Sequence, residues 1–205
     1  MGNPARGVTL RLLEAEDADV IAEWGTDPQF CRDADWSPDL SFAERQRAQR
    51  GHIQSPPSDL IRLGAACEGA LIGYVDLHGD EPVRRELGFL VGGRDRWGRG
   101  FGRLVAAAGL GYGFGRLGLH QIWAEALDAN HRSVNILRSL GLEETGNGAE
   151  GVFNTRPSYY RQFAITADAW ARTRTSGSAA TSASTCVFPL SPRCWPFVSL
   201  TPDRP

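Results

Sequence analysis

Residues 7–13, GVTLRLL, set Val8, Leu10 and Leu12 against polar or small neighbours, an alternation that predicts a half-buried strand. Over 16–25 the period lengthens. Val20, Ile21 and Trp24 recur at helical spacing, behind Glu16 and Asp17 in the first turn, where a helix favours carboxylates. The stretch 26–40 has no period and reads as turns. Ser41 and Glu44 form a capping box that opens a helix to about Gln54, stopped by Pro56 and Pro57. Strands follow at 60–67 and 70–78 around the short turn Glu68-Gly69, and at 84–91. In the last of these, Leu87, Phe89 and Val91 share one face, and Glu86, Gly88 and Leu90 the other. Beyond it the pattern predicts a helix over about 100–117, a strand at 121–127 and a helix over 131–140 ended by Gly141. Two strands, 142–146 and 158–166, then flank a loop containing Gly146, Gly148 and Gly151.

The 100–117 segment tests the helix assignment, because Gly109, Gly111, Gly113 and Gly115 each cost about 1 kcal/mol relative to alanine. The helix is retained because Ala107, Gly111 and Gly115 form an i, i+4 row that would let it lie close on a sheet. From Arg172 the composition changes. Residues 173–185, TRTSGSAATSAST, are low in complexity, and 186–205 combine five prolines with aromatics and no period. The expected division is therefore a folded domain over 1–171 and a disordered tail over 172–205, with a short partner-binding tail as the alternative.

Composition narrows the possible functions. Of the 205 residues, 41% are hydrophobic and 22% charged, enough apolar material for a soluble core. A net charge of −2 provides no broad basic surface, which disfavours nucleic acid as the main partner. Cys31, Cys67, Cys186 and Cys194 form no C-x-x-C pair, and His52, His78, His120 and His131 lie far apart. No metal site or disulfide framework is expected, and reduced thiols fit the cytoplasm. No apolar run reads as a signal peptide or spans a bilayer, so no membrane partner is expected.

Chemistry concentrates at RDRWGRGFG, residues 94–102, between the 84–91 strand and the glycine-rich helix. Strand, glycine turn and helix is the arrangement in which backbone N–H groups and a helix's positive end hold phosphate oxygens. A P-loop is excluded, because no Gly-Lys pair occurs here. A dinucleotide fingerprint fails in both frames, where Arg103 or Val105 stands at the third glycine. A purely structural turn remains the alternative for an isolated glycine-rich loop.

The second stretch, LDANHRSVNILRSLGLEETG at 127–146, changes that balance. W-G-x-G at 97–100 followed by N-x-x-S-x-x-x-L-x-x-L-G-L at 130–142 resembles the acetyl-CoA-dependent GNAT N-acetyltransferases. The likeness is greatest to the branch around RimJ/RimL, which acetylates ribosomal-protein N-termini, and its small-molecule relatives; it covers about 7–166. It implies an α/β (α+β) fold: a mixed, twisted six- to seven-stranded sheet with about four helices, splayed between two central parallel strands. Two positions depart from the family pattern. Asp95 stands where the loop often begins with Arg or Gln, and Leu137 where many members place a tyrosine general acid.

Carried onto this chain, the resemblance implies that backbone amides from Arg96 through Trp97, Gly98, Arg99, Gly100, Phe101 and Gly102 to Arg103 hold the coenzyme pyrophosphate. Arg96, Arg99 or Arg103 would add charge-assisted bonds or remain solvated. The pantetheine arm would lie along Phe89, Leu90 and Val91 like an added strand, with Asn130 bonding it or capping the next helix. Ser133 becomes the candidate acid for the leaving thiolate, or is an ordinary first-turn serine. Glu86 becomes the candidate base, or pairs with Arg84 or Arg85; Tyr159 and Tyr160 are weaker options.

The acceptor would be a primary amine: a small cationic compound of the aminoglycoside or polyamine kind, or a protein N-terminus. The acidic residues Glu14, Glu16, Asp17, Asp19, Glu23, Asp27, Asp33, Asp35 and Asp39 favour a cation, unless they form only a solvated face. A homodimer is compatible with the family. The alternatives are a GNAT-like domain that senses acetyl-CoA without turnover, and an unrelated nucleotide-phosphate binder.

Overall fold

The computed structural model describes residues 7–176. Seven strands form one sheet: β1 (Thr9–Arg11), β2 (Leu60–Cys67), β3 (Ala70–His78), β4 (Arg84–Val91), β5 (Gln121–Leu127), β6 (Glu143–Phe153) and β7 (Arg156–Thr166). Their order is β1-β2-β3-β4-β5-β7-β6. Every neighbouring pair is antiparallel except β4 and β5. Six helices accompany them: α1 (Asp17–Trp24), α2 (Pro28–Asp33), α3 (Phe42–Gln54), α4 (Phe101–Gly115), α5 (His131–Ser139) and α6 (Ala167–Ser176). The expected α/β class and mixed seven-stranded sheet are therefore present, with two more helices than the sequence pattern announces.

One face of the sheet carries the main core. Helix α4 lays Val105, Ala106 and Leu110, all fully buried, against Val75, Leu87 and Ile122, and Leu137 of α5 and Phe163 of β7 close the same cluster. Burying each of the larger side chains contributes about 1.5–3 kcal/mol. The helix tolerates its glycines for a reason different from the expected one. Gly111 and Gly115 face open space, whereas a Cβ on Gly109 would meet Leu87 at 2.7 Å and one on Gly113 would meet Ile122 at 2.6 Å. The row that lets α4 approach the sheet is Gly109–Gly113. On the opposite face, α1 and α2 pack Ile21, Trp24 and Phe30 on Leu71 and Tyr74, a second and smaller core.

Three further expectations are corrected. The turn-rich 26–40 segment contains α2, whose N-cap Asp27 accepts from the Gln29 and Phe30 amides with Pro28 at the first position. Strand β1 is shorter than the 7–13 alternation suggests. The loop expected between 146 and 158 is instead the body of a long β6–β7 hairpin, turned at Asn154 and Thr155 with φ of 49° and 67°. Two positive φ values in succession match the turn whose twist suits a hairpin. Helix α6 crosses the expected domain limit at Arg172 and runs to Ser176. The rest of the expected tail, 177–205, lies outside the described residues.

Candidate active site

Strands β4 and β5 pair only through Arg84–Gln121, Arg85–Ile122 and Glu86–Trp123. Beyond these residues the two parallel strands part, while each stays bonded to its antiparallel neighbour, β4 to β3 and β5 to β7. One edge of Leu87–Val91 is thus left without a strand partner in the middle of a sheet. Backbone groups need a partner when water is excluded, so such an edge suits an extended ligand that adds itself as a strand.

The glycine turn stands at the C-terminal end of β4. A short 3-10 turn, Arg94–Arg96, leads to Gly98 and Gly100 with φ of 73° and 86°, and Gly100 opens α4. Nothing lies within 4 Å of a Cβ built at either position, so their surroundings are open to a ligand. Gly102 differs: its φ is not positive, and a Cβ there would meet Ile136 of α5 at 2.6 Å, so its smallness serves helix packing. The amides of the first turn of α4 have no partner within the helix and sit at the positive end of its dipole.

Of the three arginines expected to assist phosphate binding or stay solvated, two bond backbone carbonyls and the third is exposed. Arg96 donates to the Gly92 carbonyl at 2.9 Å, and Arg99 reaches the Asp95 carbonyl at 3.5 Å. Arg94 pairs with Asp27, tying the start of the turn to the cap of α2. Arg103 is exposed on the first turn of α4. Trp97 donates its Nε1 to the Val91 carbonyl at 2.9 Å, lies 5.7 Å from the Phe30 ring and carries Arg132 above its face. Phe101 is a buried core residue. Trp97 and Phe101 therefore fix the turn on its scaffold, and the Val91 carbonyl is taken by Trp97. Phe89 packs on the main core and Leu90 on the smaller one, which leaves their main chain as the part facing the gap.

Glu86, Gly88 and Leu90 point to the face opposite α4, as the alternation predicts. Glu86 lies between His78 of β3 and Trp123 of β5, and Glu125 stands two residues further along β5 on the same side. Glu86 forms no ion pair among the described residues, because its expected partners are committed elsewhere. Arg84 bonds Gln121 and Glu81, and Arg85 bonds the Asp59 and Leu77 carbonyls. Burial, and secondarily the nearby Glu125 carboxylate, raise the Glu86 pKa above its ordinary value; His78 acts the other way and Asp76 adds to the rise. Glu125 is held by Gln162 of β7 at 2.6 Å. Asp76 is engaged by Arg62 through two bonds of 2.7 Å. Sequence reasoning missed Glu125, although a carboxylate alternating with Trp123 inside an apolar strand was its available signal.

Asn130 accepts the Ser133 amide at 3.2 Å through its Oδ1 and so caps α5, a bond that leaves its side-chain NH2 uncommitted. Ser133 is half-buried on the first turn of α5. Leu137 is 1% exposed within the main core and has no proton to give. Tyr159 is exposed on β7, and Tyr160 pairs with Leu127. Four of the nine early acidic residues are engaged: Asp17 with Arg11, Asp19 with Arg50, Asp27 with Arg94, and Asp33 with the neutral side chains of Gln29 and Asn154. Among the described residues, no group of three or more His, Cys, Asp or Glu is placed to hold a metal ion, and no helix is long and apolar enough to cross a membrane.

Comparison with known proteins supplies an independent view. Residues 8–143 match the model of the acetyltransferase (GNAT) domain. The chain is 31% identical over 150 residues to the uncharacterized N-acetyltransferase p20 of Bacillus licheniformis, covering 68% of this chain and 80% of that protein. It is 26% identical over 157 residues to YdaF of Bacillus subtilis (strain 168), which carries the name of a ribosomal N-acetyltransferase, over 71% of this chain and 83% of that one. Among solved structures, spermidine N-acetyltransferase from Vibrio cholerae with CoA and spermine aligns with a TM-score of 0.68 at 24% identity, covering 80% of this chain and 98% of that one. Aminoglycoside acetyltransferase AAC(6')-Ib with coenzyme A aligns at 0.67 and 20%, covering 82% and 99%. At these identities the structures speak for the fold.

Proposed function

Since the chain belongs to the GNAT acetyltransferase family, in the branch around RimJ/RimL, and is an acetyl-CoA-dependent N-acetyltransferase, we propose that its acceptor is a small cationic primary amine bound on the Glu86–Glu125 face of the sheet. The observation that carries this reading is the parting of β4 and β5. Beside that parting lie a free strand edge and, at the end of the same strand, the glycine turn, while Glu86 and Glu125 on the two strands have no ion-pair partner among the described residues, which supports the reading. The acceptors named for the spermidine and aminoglycoside relatives of the same fold agree with a polycation. The early acidic helices give weaker support, because Asp17, Asp19 and Asp27 already pair with arginines.

Transfer proceeds directly between the two bound substrates. Main-chain amides from Arg96 to Arg103 hold the pyrophosphate, and the free edge at Phe89 and Leu90, together with Asn130, aligns the pantetheine arm. Glu86, kept basic by its desolvated seat, takes a proton from the acceptor ammonium. The freed amine nitrogen attacks the thioester carbonyl carbon, so a C–N bond forms as the C–S bond breaks. A β4 amide near the end of the strand stabilises the oxyanion, and Ser133 gives its hydroxyl proton to the departing thiolate while taking up the second proton that the attacking nitrogen sheds. The test is free-thiol release over a panel of amines of rising charge, with peptides included. A rate that climbs with acceptor charge and falls with salt supports the proposal; indifference to both overturns it.

A further inference from the structure

Outside the coenzyme gap, a half-open pocket of about 180 Å³ is lined by Trp36, Ser37, Leu40, Arg45, Ala48 and Gln49. Among the described residues, Arg45 is one of two buried charged residues, with 4% exposure. The other, Asp17, has Arg11 as its counter-ion. Among the described residues, Arg45 has none: its Nη2 donates to the Ser37 carbonyl at 2.7 Å, and it makes no ion pair. The seat of this guanidinium is built into the fold. A Cβ at Gly25 would fall 2.6 Å from both Cδ and Nε of Arg45, so only glycine there lets the arginine lie down. One turn along α3, Gln49 brings its amide to the same pocket, and its Oε1 is buried without a partner. Trp36 is braced edge-on by Phe30 at 5.3 Å and forms a fixed wall.

A buried cation without a counter-charge, beside a buried acceptor without a donor, is costly unless something else completes both. The three features have one complement: a carboxylate for the guanidinium fork, an adjacent N–H for Gln49, and an apolar body against Trp36 and Leu40. We propose that this pocket binds a small carboxylate bearing a neighbouring N–H, the chemistry of an N-acylated amino acid or a peptide C-terminus. The site is separate from the acetyl-transfer reading, since none of its lining residues has a part in that reaction.

Calorimetry with N-benzoylglycine, which carries carboxylate, amide N–H and ring together, tests the proposal on the full-length protein. Saturable binding is expected. It should weaken at least tenfold in Arg45→Met and several-fold in Gln49→Leu, while both variants keep wild-type acetyl-CoA affinity as evidence of an intact fold. The uncharged N-benzoylglycinamide should bind at least tenfold more weakly, and inorganic phosphate should not compete. Binding that is absent at millimolar concentration, unaffected by Gln49→Leu in a variant that still binds acetyl-CoA, or matched by the amide or by phosphate overturns the assignment. Binding should be independent of the amine acceptor; competition with it would overturn the assignment of a separate site.

Discussion

Glu86 shows how one side chain is set at odds with its surroundings for a use. Its pKa is raised, so the folded state binds the proton more tightly than the unfolded one. Any stability it contributes is present at low pH and fades as pH rises through its folded pKa. At neutral pH it is a desolvated carboxylate that strains the fold. Glu86→Gln should therefore leave the melting temperature at pH 7 equal or higher, while lowering kcat by about 10²-fold or more, as expected on losing a general base. Acetyl-CoA affinity should stay unchanged. In the wild type, the acid limb of kcat/KM should report a group titrating above the ordinary glutamate value of 4.5. A variant that melts lower and keeps its rate would give Glu86 a structural role only. The residue was legible because period-two alternation separates Glu86 from Leu87. Glu125 was not, because its importance depends on β4 and β5 being neighbours in a given register.

Elements were legible wherever a local pattern carried them. The capping box at Ser41 and Glu44 is present as read, and the β2–β3 hairpin turns at Glu68 and Gly69. Those decided by long-range contacts were not. Gly148 and Gly151 look like loop residues, yet a Cβ on either would meet Glu125 or Leu127 of β5 within 3 Å, so their smallness is what lets the hairpin lie over the sheet. Helix α2 is only six residues long, too short for a periodic signal. The glycines of the phosphate turn give a prediction of the same kind. Gly98→Ala and Gly100→Ala put a Cβ into open space at positive φ, where the strain is about 1–2 kcal/mol, so the larger loss should appear in coenzyme affinity. Gly102→Ala presses on Ile136 and should lower stability more than affinity. Denaturation midpoints and coenzyme dissociation constants on the three variants separate the two effects; the same ordering in both measurements would argue against the turn as a ligand cradle.

At the scale of the molecule, the sheet is two antiparallel halves, β1–β4 and β5–β7–β6, joined by a short parallel register at Arg84–Glu86 and spanned on one side by α4. The join is weakest where the coenzyme arm would enter, so the bound thioester should act as the missing strand between the halves. Acetyl-CoA at 100 times its dissociation constant should add about 2.7 kcal/mol. For a folded unit of this size that corresponds to a rise in melting temperature of about 5–10 °C. The gain should be local before it is global. Amide protons of Gly88–Val91 that face the gap should exchange more slowly with coenzyme bound, whereas those of β3, already paired on both sides, should change only with overall stability. Hydrogen exchange read residue by residue makes the comparison. Protection confined to the glycine turn, with β4 unaffected, would mean that the phosphates are held while the arm lies elsewhere, and the splayed strands would then need another purpose.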